Sequence, residues 1–465
     1  MASAHLLSFR RKKNWGGGMS INLIEFPEDF LWGTAVCSHQ AEGHNVNSDW
    51  WEWEKKGKIA DGTVSGAAAD MLNRYPEDFK LMSDLGYNSF RFSVEWARVE
   101  PERGVFSEDA LRHYEKVLDE LRARGLKACL TLYHWPLPKW MAKRGGWTAE
   151  DSPELFGRFV KKVVERVYGK VDIWCTLNEP MVPVIAGHLF GEFPPERRSW
   201  NEARTVFKNL LKAHVEARRR ILDAWRRSGE SDEPLIGIAQ AVVDAAPVNP
   251  DNILDSAIHK FIRFFHNDAF PKALSSGKVS PPFGFNEKIS GLKDSFSYSG
   301  VNYYTRMRIN FNLKKIPGSL NDFLYLPEGA ETTAMGYEVY PPGFYNVIKD
   351  AARYGKPVYI LENGIADATD AQRPGYLLRH LKQVKRAIDD GVDVRGYFQW
   401  SYIDNFEWKL GFEKKFGLVE VEPGTLNRKP RPSAYMYGEI ARTGKITREL
   451  AEKYAPNVIE EVFES

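Results

Sequence analysis

Residues 172–180 read DIWCTLNEP: an apolar run (Ile173, Trp174, Cys175, Leu177) that stops at Asn178, Glu179 and Pro180. A short, continuous apolar run closed by a breaker is the pattern of a strand buried on both faces, as in a parallel sheet. Seven further runs share it: FLWGTA from Phe30, SFRFS from Ser89, LKACLTLY from Leu126, IGIAQA from Ile236, SYSGVN from Ser297, VYILEN from Val358 and VRGYFQW from Val394. The segments between them carry helical spacing. In Asp109–Arg124 (DALRHYEKVLDELRAR), Leu111, Tyr114, Leu118 and Leu121 fall on one face, and Gly125 supplies the stop. Eight strand–helix alternations, with no Pro- or Ser-rich linker and no charge block, predict a single (β/α)8 TIM barrel with elaborated βα loops over residues 19–465. The length of 465 residues is no obstacle, since barrels of this kind exceed about 400. Residues 1–18, ahead of Met19, are expected to be a mobile extension outside the fold. Residues 310–340 are too long and irregular for a simple connection and are expected to wall the C-terminal mouth.

Composition narrows the function. Hydrophobic residues at 43% and charged residues at 27% exclude disordered and fibrous classes. The 64 basic and 62 acidic side chains are interspersed and leave a net charge of +2, so no footprint for nucleic acid exists and a small neutral ligand is the expected partner. No apolar stretch approaches the roughly 18 to 20 residues of a membrane span. The N-terminal basic cluster follows a very short apolar run, the reverse of a secretory signal. Cys37, Cys129 and Cys175 are odd in number and sit in apolar runs, which predicts buried reduced thiols and a cytoplasmic protein. No metal-ligand cluster, phosphate loop or dinucleotide fingerprint occurs, so neither a metal nor a cofactor is expected.

The chemistry is carried by two strand ends. The fourth run closes on Glu179 and the seventh on Glu362. Carboxylates at the C-terminal ends of barrel strands face the catalytic mouth, and the fourth and seventh strands lie roughly across the barrel from each other. Either glutamate alone would be an ordinary strand-end carboxylate. Together they can flank one glycosidic bond, one protonating the leaving oxygen and the other attacking the anomeric carbon; retention requires a separation of roughly 5 to 5.5 Å.

Further motifs follow in order: Q-x-E-G from Gln40, R-F-S at Arg91, H-W at His134, N-E-P at Asn178, N-Y-Y at Asn302, E-N-G at Glu362 and W-S-x-x-D-N-F-E-W from Trp400 to Trp408. With them the chain resembles family 1 of the glycoside hydrolases from Phe26 to Phe463. The resemblance implies a retaining β-glycosidase that removes terminal β-D-glucosyl, and also β-D-galactosyl or β-D-fucosyl, residues from a small glycoside or oligosaccharide through a covalent intermediate. It makes Glu179 the acid/base and Glu362 the nucleophile. It places Gln40, His134, Asn178, Glu407 and Trp408 in the glycone subsite with Trp400 as platform, and Arg91, Asn302 and Tyr304 in support. A cation and a phenol beside Glu362 favour its charged form, and that charge is expected to raise the pKa of Glu179. Three alternatives compete: a 6-phospho-β-glycosidase, a transglycosylase, and a sugar-binding barrel without catalysis. Homo-oligomerisation stays open.

Two positions depart from the family pattern, His39 in place of an aromatic residue and Leu361 in place of threonine. Family members specific for 6-phosphorylated sugars carry serine, lysine and tyrosine where this chain has Glu407, Lys414 and Phe416. A carboxylate at Glu407 is expected to repel a phosphate. Only five glutamines, three cysteines and 26 prolines, with many interspersed Arg/Glu pairs, point to heat tolerance.

Overall fold

The computed structural model describes residues 22–310 and 325–464. The expectation for residues 1–18, and that for the part of the 310–340 segment between 311 and 324, lie outside the described residues.

Eight parallel strands close into a barrel: β1 (Leu31–Ala35), β2 (Ser89–Ser93), β3 (Lys127–Thr131), β4 (Ile173–Asn178), β5 (Leu235–Pro247), β6 (Ser299–Ile309), β7 (Val358–Asn363) and β8 (Val394–Trp400). Each neighbours the next in sequence, and β8 closes on β1 through Gly396↔Leu31 to Trp400↔Ala35. All eight strands fall on the runs read from the sequence. Two are longer than their apolar runs: β5 and β6 continue past the barrel as a parallel pair, Asp244↔Arg306 to Pro247↔Ile309. This extension is half-buried and polar in part, so it carries no apolar signature.

Between and after the strands lie helices α1 (Met71–Leu85), α2 (Glu108–Ala123), α3 (Ser152–Val167), α4 (Trp200–Ser228), α5 (Ala269–Ser276), α6 (Pro341–Ala352), α7 (Arg373–Asp389) and α8 (Pro432–Thr443), and α8 packs back on α1. Helix α2 shows how the local sequence sets an element. Ser107 caps its N-terminus by accepting from Ala110 N at 3.2 Å, and Glu108 and Asp109 sit in the first turn, where the helix dipole favours acids. Leu111, Tyr114, Val117, Leu118 and Leu121 are buried, and Gly125 at φ 72° takes the left-handed position that ends the helix.

Inside the barrel, large rings need small partners. A Cβ on Gly237 of β5 would sit 2.7 Å from Tyr298 Cζ, so glycine there lets the Tyr298 ring fill the interior. Cys37, Cys129 and Cys175 are all buried and unpaired, as expected for structural thiols. A short strand at Leu23–Glu25 pairs antiparallel with Lys445–Thr447, fastening the two ends of the described chain together.

Candidate active site

The site is assembled at the C-terminal ends of the strands. β4 delivers Asn178 and then Glu179, whose backbone turns to φ 45°, a left-handed value rare for glutamate; Trp135 at φ 82° and Trp408 at φ 48° share this feature. Such backbone strain persists only where the surroundings fix it, and it concentrates at functional sites. β7 delivers Glu362 in register with Asn302 of β6. Gly364, just beyond, admits no side chain, because a Cβ there would overlap Trp400 O at the end of β8. The close approach of these two strand ends explains the glycine of the E-N-G motif.

These residues surround a pocket of about 370 Å³ lined by His134, Glu179, Asn302, Tyr304, Glu362, Trp400, Glu407 and Trp408, together with Trp135, Phe193, Met335, Tyr337 and Phe416. Gln40, Arg91 and Asn178 are buried beside it and hydrogen-bonded to its lining. Every residue assigned to the site from the sequence is thus brought to one place. Trp135, Phe193, Met335, Tyr337 and Phe416 join them: Trp135 belongs to the H-W motif, Phe416 to the comparison with phospho-sugar enzymes, Met335 and Tyr337 to the 310–340 segment expected at the mouth, and Phe193 to no pattern read from the sequence.

A single hydrogen-bonded relay connects the two glutamates. Asn302 Nδ2 donates to Glu179 Oε1 at 2.9 Å and to Asn178 Oδ1 at 3.2 Å. Arg91 Nη2 donates to the same Asn178 oxygen at 2.6 Å, and Arg91 Nη1 donates to Glu362 Oε1 at 2.6 Å. Tyr304 Oη donates to Glu362 Oε2 at 2.6 Å, so each oxygen of Glu362 is held by a donor. Burial and the neighbouring carboxylates hold Tyr304 as the neutral phenol, well above its ordinary range. Asn178 Nδ2 donates to His134 Nε2 at 2.9 Å. Burial, with Arg91 nearby, keeps His134 neutral by pushing it well below the usual histidine range.

Glu179 is pushed up to about 8, first by burial and second by the charge of Glu362. The direction matches the sequence expectation; the larger cause is burial. For Glu407 the expectation needs correction. Burial and the charge of Glu362 raise it to about 8, so near neutral pH it is largely the neutral acid and not the carboxylate assumed from sequence. Gln40 Nε2 donates to Glu407 Oε2 at 3.3 Å and to Phe406 O at 2.8 Å, fixing the loop after β8. Within that loop, Asp404 accepts from Arg431 Nη2 at 2.9 Å and from Gly417 N at 3.0 Å, so the aspartate of the motif anchors the loop. Lys414 is half-buried, and Phe416 lines the pocket.

The two departures are accommodated locally. His39 stacks on Trp408 with ring centroids 5.5 Å apart and planes 9° apart. Its Nε2 donates to Glu54 Oε1 at 2.8 Å and its Nδ1 accepts from Asn45 Nδ2 at 3.1 Å. The histidine thus keeps the ring that an aromatic residue would supply and adds a polar tether. Leu361 is fully buried against Gly300.

Among the described residues, Gln40 Oε1, His134 Nδ1 and Asn302 Oδ1 are buried without a hydrogen-bond partner. Unpaired polar atoms in so buried a place cost about 1–3 kcal/mol each, a cost that a polyhydroxylated ligand can relieve. The aromatic faces of Trp400 and Trp408 beside them suit the C–H surface of a sugar.

The sequence model of glycosyl hydrolase family 1 matches residues 23–446. A β-glycosidase structure from Pyrococcus horikoshii superposes with a TM-score of 0.83 at 40% identity, covering 94% of this chain and 98% of that one. The Thermotoga maritima β-glucosidase in complex with castanospermine superposes with a TM-score of 0.84 at 30% identity, covering 90% and 99%. The curated β-galactosidase of Pyrococcus woesei is 31% identical over 506 residues, covering 92% of this chain and 99% of its own.

Proposed function

The chain belongs to glycosyl hydrolase family 1, a family of retaining β-glycosidases, and on that premise we propose that it is a β-glucosidase whose acid/base is Glu179 and whose nucleophile is Glu362. The observation that carries the reading is the unequal environment of the two glutamates. Glu362 is clamped by a cation and a phenol, while Glu179 is buried against an amide and held protonated. Two carboxyl groups in environments this unequal divide the roles of acid and nucleophile.

In the first step Glu179 gives its proton to the glycosidic oxygen as Glu362 attacks the anomeric carbon. The C–O bond to the aglycone breaks and a glycosyl ester forms. Glu179 has given up its proton, and loss of the Glu362 charge in the ester removes one of the two main influences raising its pKa, so it stays a carboxylate and serves as base for the incoming water. The second displacement restores the configuration. Gln40, His134, Asn178, Glu407 and Trp408 bind the glycone hydroxyls over the Trp400 platform, and Arg91, Asn302 and Tyr304 hold the two carboxyls in position.

Glucose is favoured as glycone because the Thermotoga maritima relative is named a β-glucosidase and its structures hold the sugar mimics castanospermine and deoxynojirimycin. Galactosides are secondary substrates on the same reasoning, given the β-galactosidase from Pyrococcus woesei. We take residues 19–465 as one catalytic domain and place the enzyme in the cytoplasm, a location the three buried free thiols support. A panel of chromogenic β-glucosides, β-galactosides, β-fucosides and β-mannosides tests the assignment. The highest kcat/KM is expected for a β-glucoside, and a β-mannoside preference would overturn it.

A further inference from the structure

A second cavity, of about 110 Å³, lies behind the aromatic wall of the active site. Asp49, Trp50, Trp135, Trp147 and Phe193 line it, and Trp135, Phe193 and Val182 also face the main pocket. Its wall bears directly on the glycone residue Trp408, with ring centroids 4.5 Å from Trp50 and 4.6 Å from Trp135. Arg197 and Glu202, both solvent-accessible, mark the side open to the surface.

The chemistry of the lining is specific. Asp49 Oδ1 accepts from Trp50 N at 2.8 Å and Leu137 N at 2.9 Å, whereas its Oδ2 has no partner in another residue among the described residues. The indole N–H of Trp135 is buried without a partner. A carboxyl oxygen without a partner in another residue offers hydroxyl groups an acceptor, and the aromatic faces around it offer C–H groups flat apolar surfaces. An apolar ligand would leave that oxygen unsatisfied. An anion would meet the carboxyls of Asp49 and Glu202, the latter already engaged with His188 at 3.2 Å. A cavity of this size holds on the order of ten waters, or one small polyol in their place.

We propose that this cavity is a second sugar site, which binds one free neutral monosaccharide of the class that hydrolysis releases and contacts the glycone pocket through Trp135. Only the choice of sugar rests on the β-glucosidase reading. Burial raises Asp49 to about 7, so it can accept from or donate to a hydroxyl under ordinary conditions.

The test is equilibrium dialysis of the full chain against labelled D-glucose, with and without deoxynojirimycin at a concentration that saturates the glycone pocket. Two glucoses per chain are expected without the iminosugar and one with it. Displacement of the first reports on the glycone pocket alone, so the two readings fail separately. Ala142 lines the cavity away from the catalytic residues, and Ala142→Phe should abolish the residual site while leaving kcat/KM for an aryl β-glucoside unchanged. Asp49→Asn keeps the oxygen that serves the two backbone N–H groups and replaces the free one. It should weaken the residual site about tenfold, the worth of one charge-assisted hydrogen bond. No residual glucose on the iminosugar-saturated wild type up to about 100 mM, a range far weaker than specific binding, overturns the proposal. Residual binding that is unchanged in both variants overturns it equally.

Discussion

Arg91 Nη1 lies 2.6 Å from Glu362 Oε1, and the pair is almost wholly buried, with side chains 1% and 4% exposed. Arg91 also reaches Asn178 and through it Asn302 and Glu179, so one guanidinium orients both members of the proposed catalytic pair. Lysine has the charge without the planar fork that serves two partners at once. Arg91→Lys should therefore fold and yet lose about 100-fold in kcat/KM, the scale of a misplacement of roughly 1 Å. Arg91→Met leaves the Glu362 charge uncompensated and should cost about 3–5 kcal/mol of stability as well. Denaturant unfolding and kinetics with an aryl β-glucoside measure both, and near-wild-type kcat/KM in Arg91→Lys would contradict the relay.

The pH dependence follows from Glu179. Its pKa is raised to about 8, so the protonated acid the first step needs is present below that value and is lost as pH rises through it. The alkaline limb of kcat/KM is expected near 8. Asn302 donates to the charged form and so lowers the pKa of Glu179; Asn302→Ala should move the limb upward while reducing kcat. A limb that stays put in that variant would count against Glu179 as the titrating acid.

Much of this is legible in the sequence, and for identifiable reasons. Parallel strands buried on both faces read as apolar runs, and the carboxylates that end two of them stand out against that background. The Asn178–Asn302 relay was not legible, because it depends on side chains of β2, β4, β6 and β7 meeting across the barrel. Nor was the raised pKa of Glu407, which is set by burial and by Glu362. The cavity behind Trp135 has no sequence signature either, since Asp49 starts a short helix while Trp135 and Phe193 lie in two separate loops, with no motif in common.

Discrimination against 6-phosphorylated sugars is expected to depend on pH. Glu407, raised to about 8, is mostly neutral at pH 7 and ionises above that, where it repels a phosphate of about −2 charge more strongly. Wild type should prefer the β-glucoside over its 6-phosphate at every pH, with the ratio of kcat/KM values widening from pH 6 to pH 9. Glu407→Ser should weaken the β-glucoside and flatten the pH dependence. Preference of the wild type for the phosphate would refute this account of Glu407.

The composition that points to heat tolerance has a structural counterpart outside the barrel. Arg263 pairs with Asp350 at 2.5 Å, Arg353 with Asp268 at 3.2 Å, and Arg353 with Asp350 at 3.5 Å, so each charge serves a network instead of an isolated pair. Networks of this kind gain importance at high temperature. The unfolding midpoint is expected above about 65 °C, beyond the mesophile range, and lower in Asp350→Asn at low salt than at high salt relative to wild type. Calorimetry at two salt concentrations decides it; a wild-type midpoint below that value would remove the claim.

The central claim, that Glu362 is the nucleophile, is tested most directly by trapping the intermediate. A 2-deoxy-2-fluoro-β-glucosyl fluoride slows both displacements, and its good leaving group lets the ester accumulate. After peptic digestion and mass spectrometry, the fluoroglucosyl group should lie on the peptide containing Glu362 and fragment to that residue. The label on Glu179 or Glu407, or inactivation with no covalent mass increase, would contradict the account.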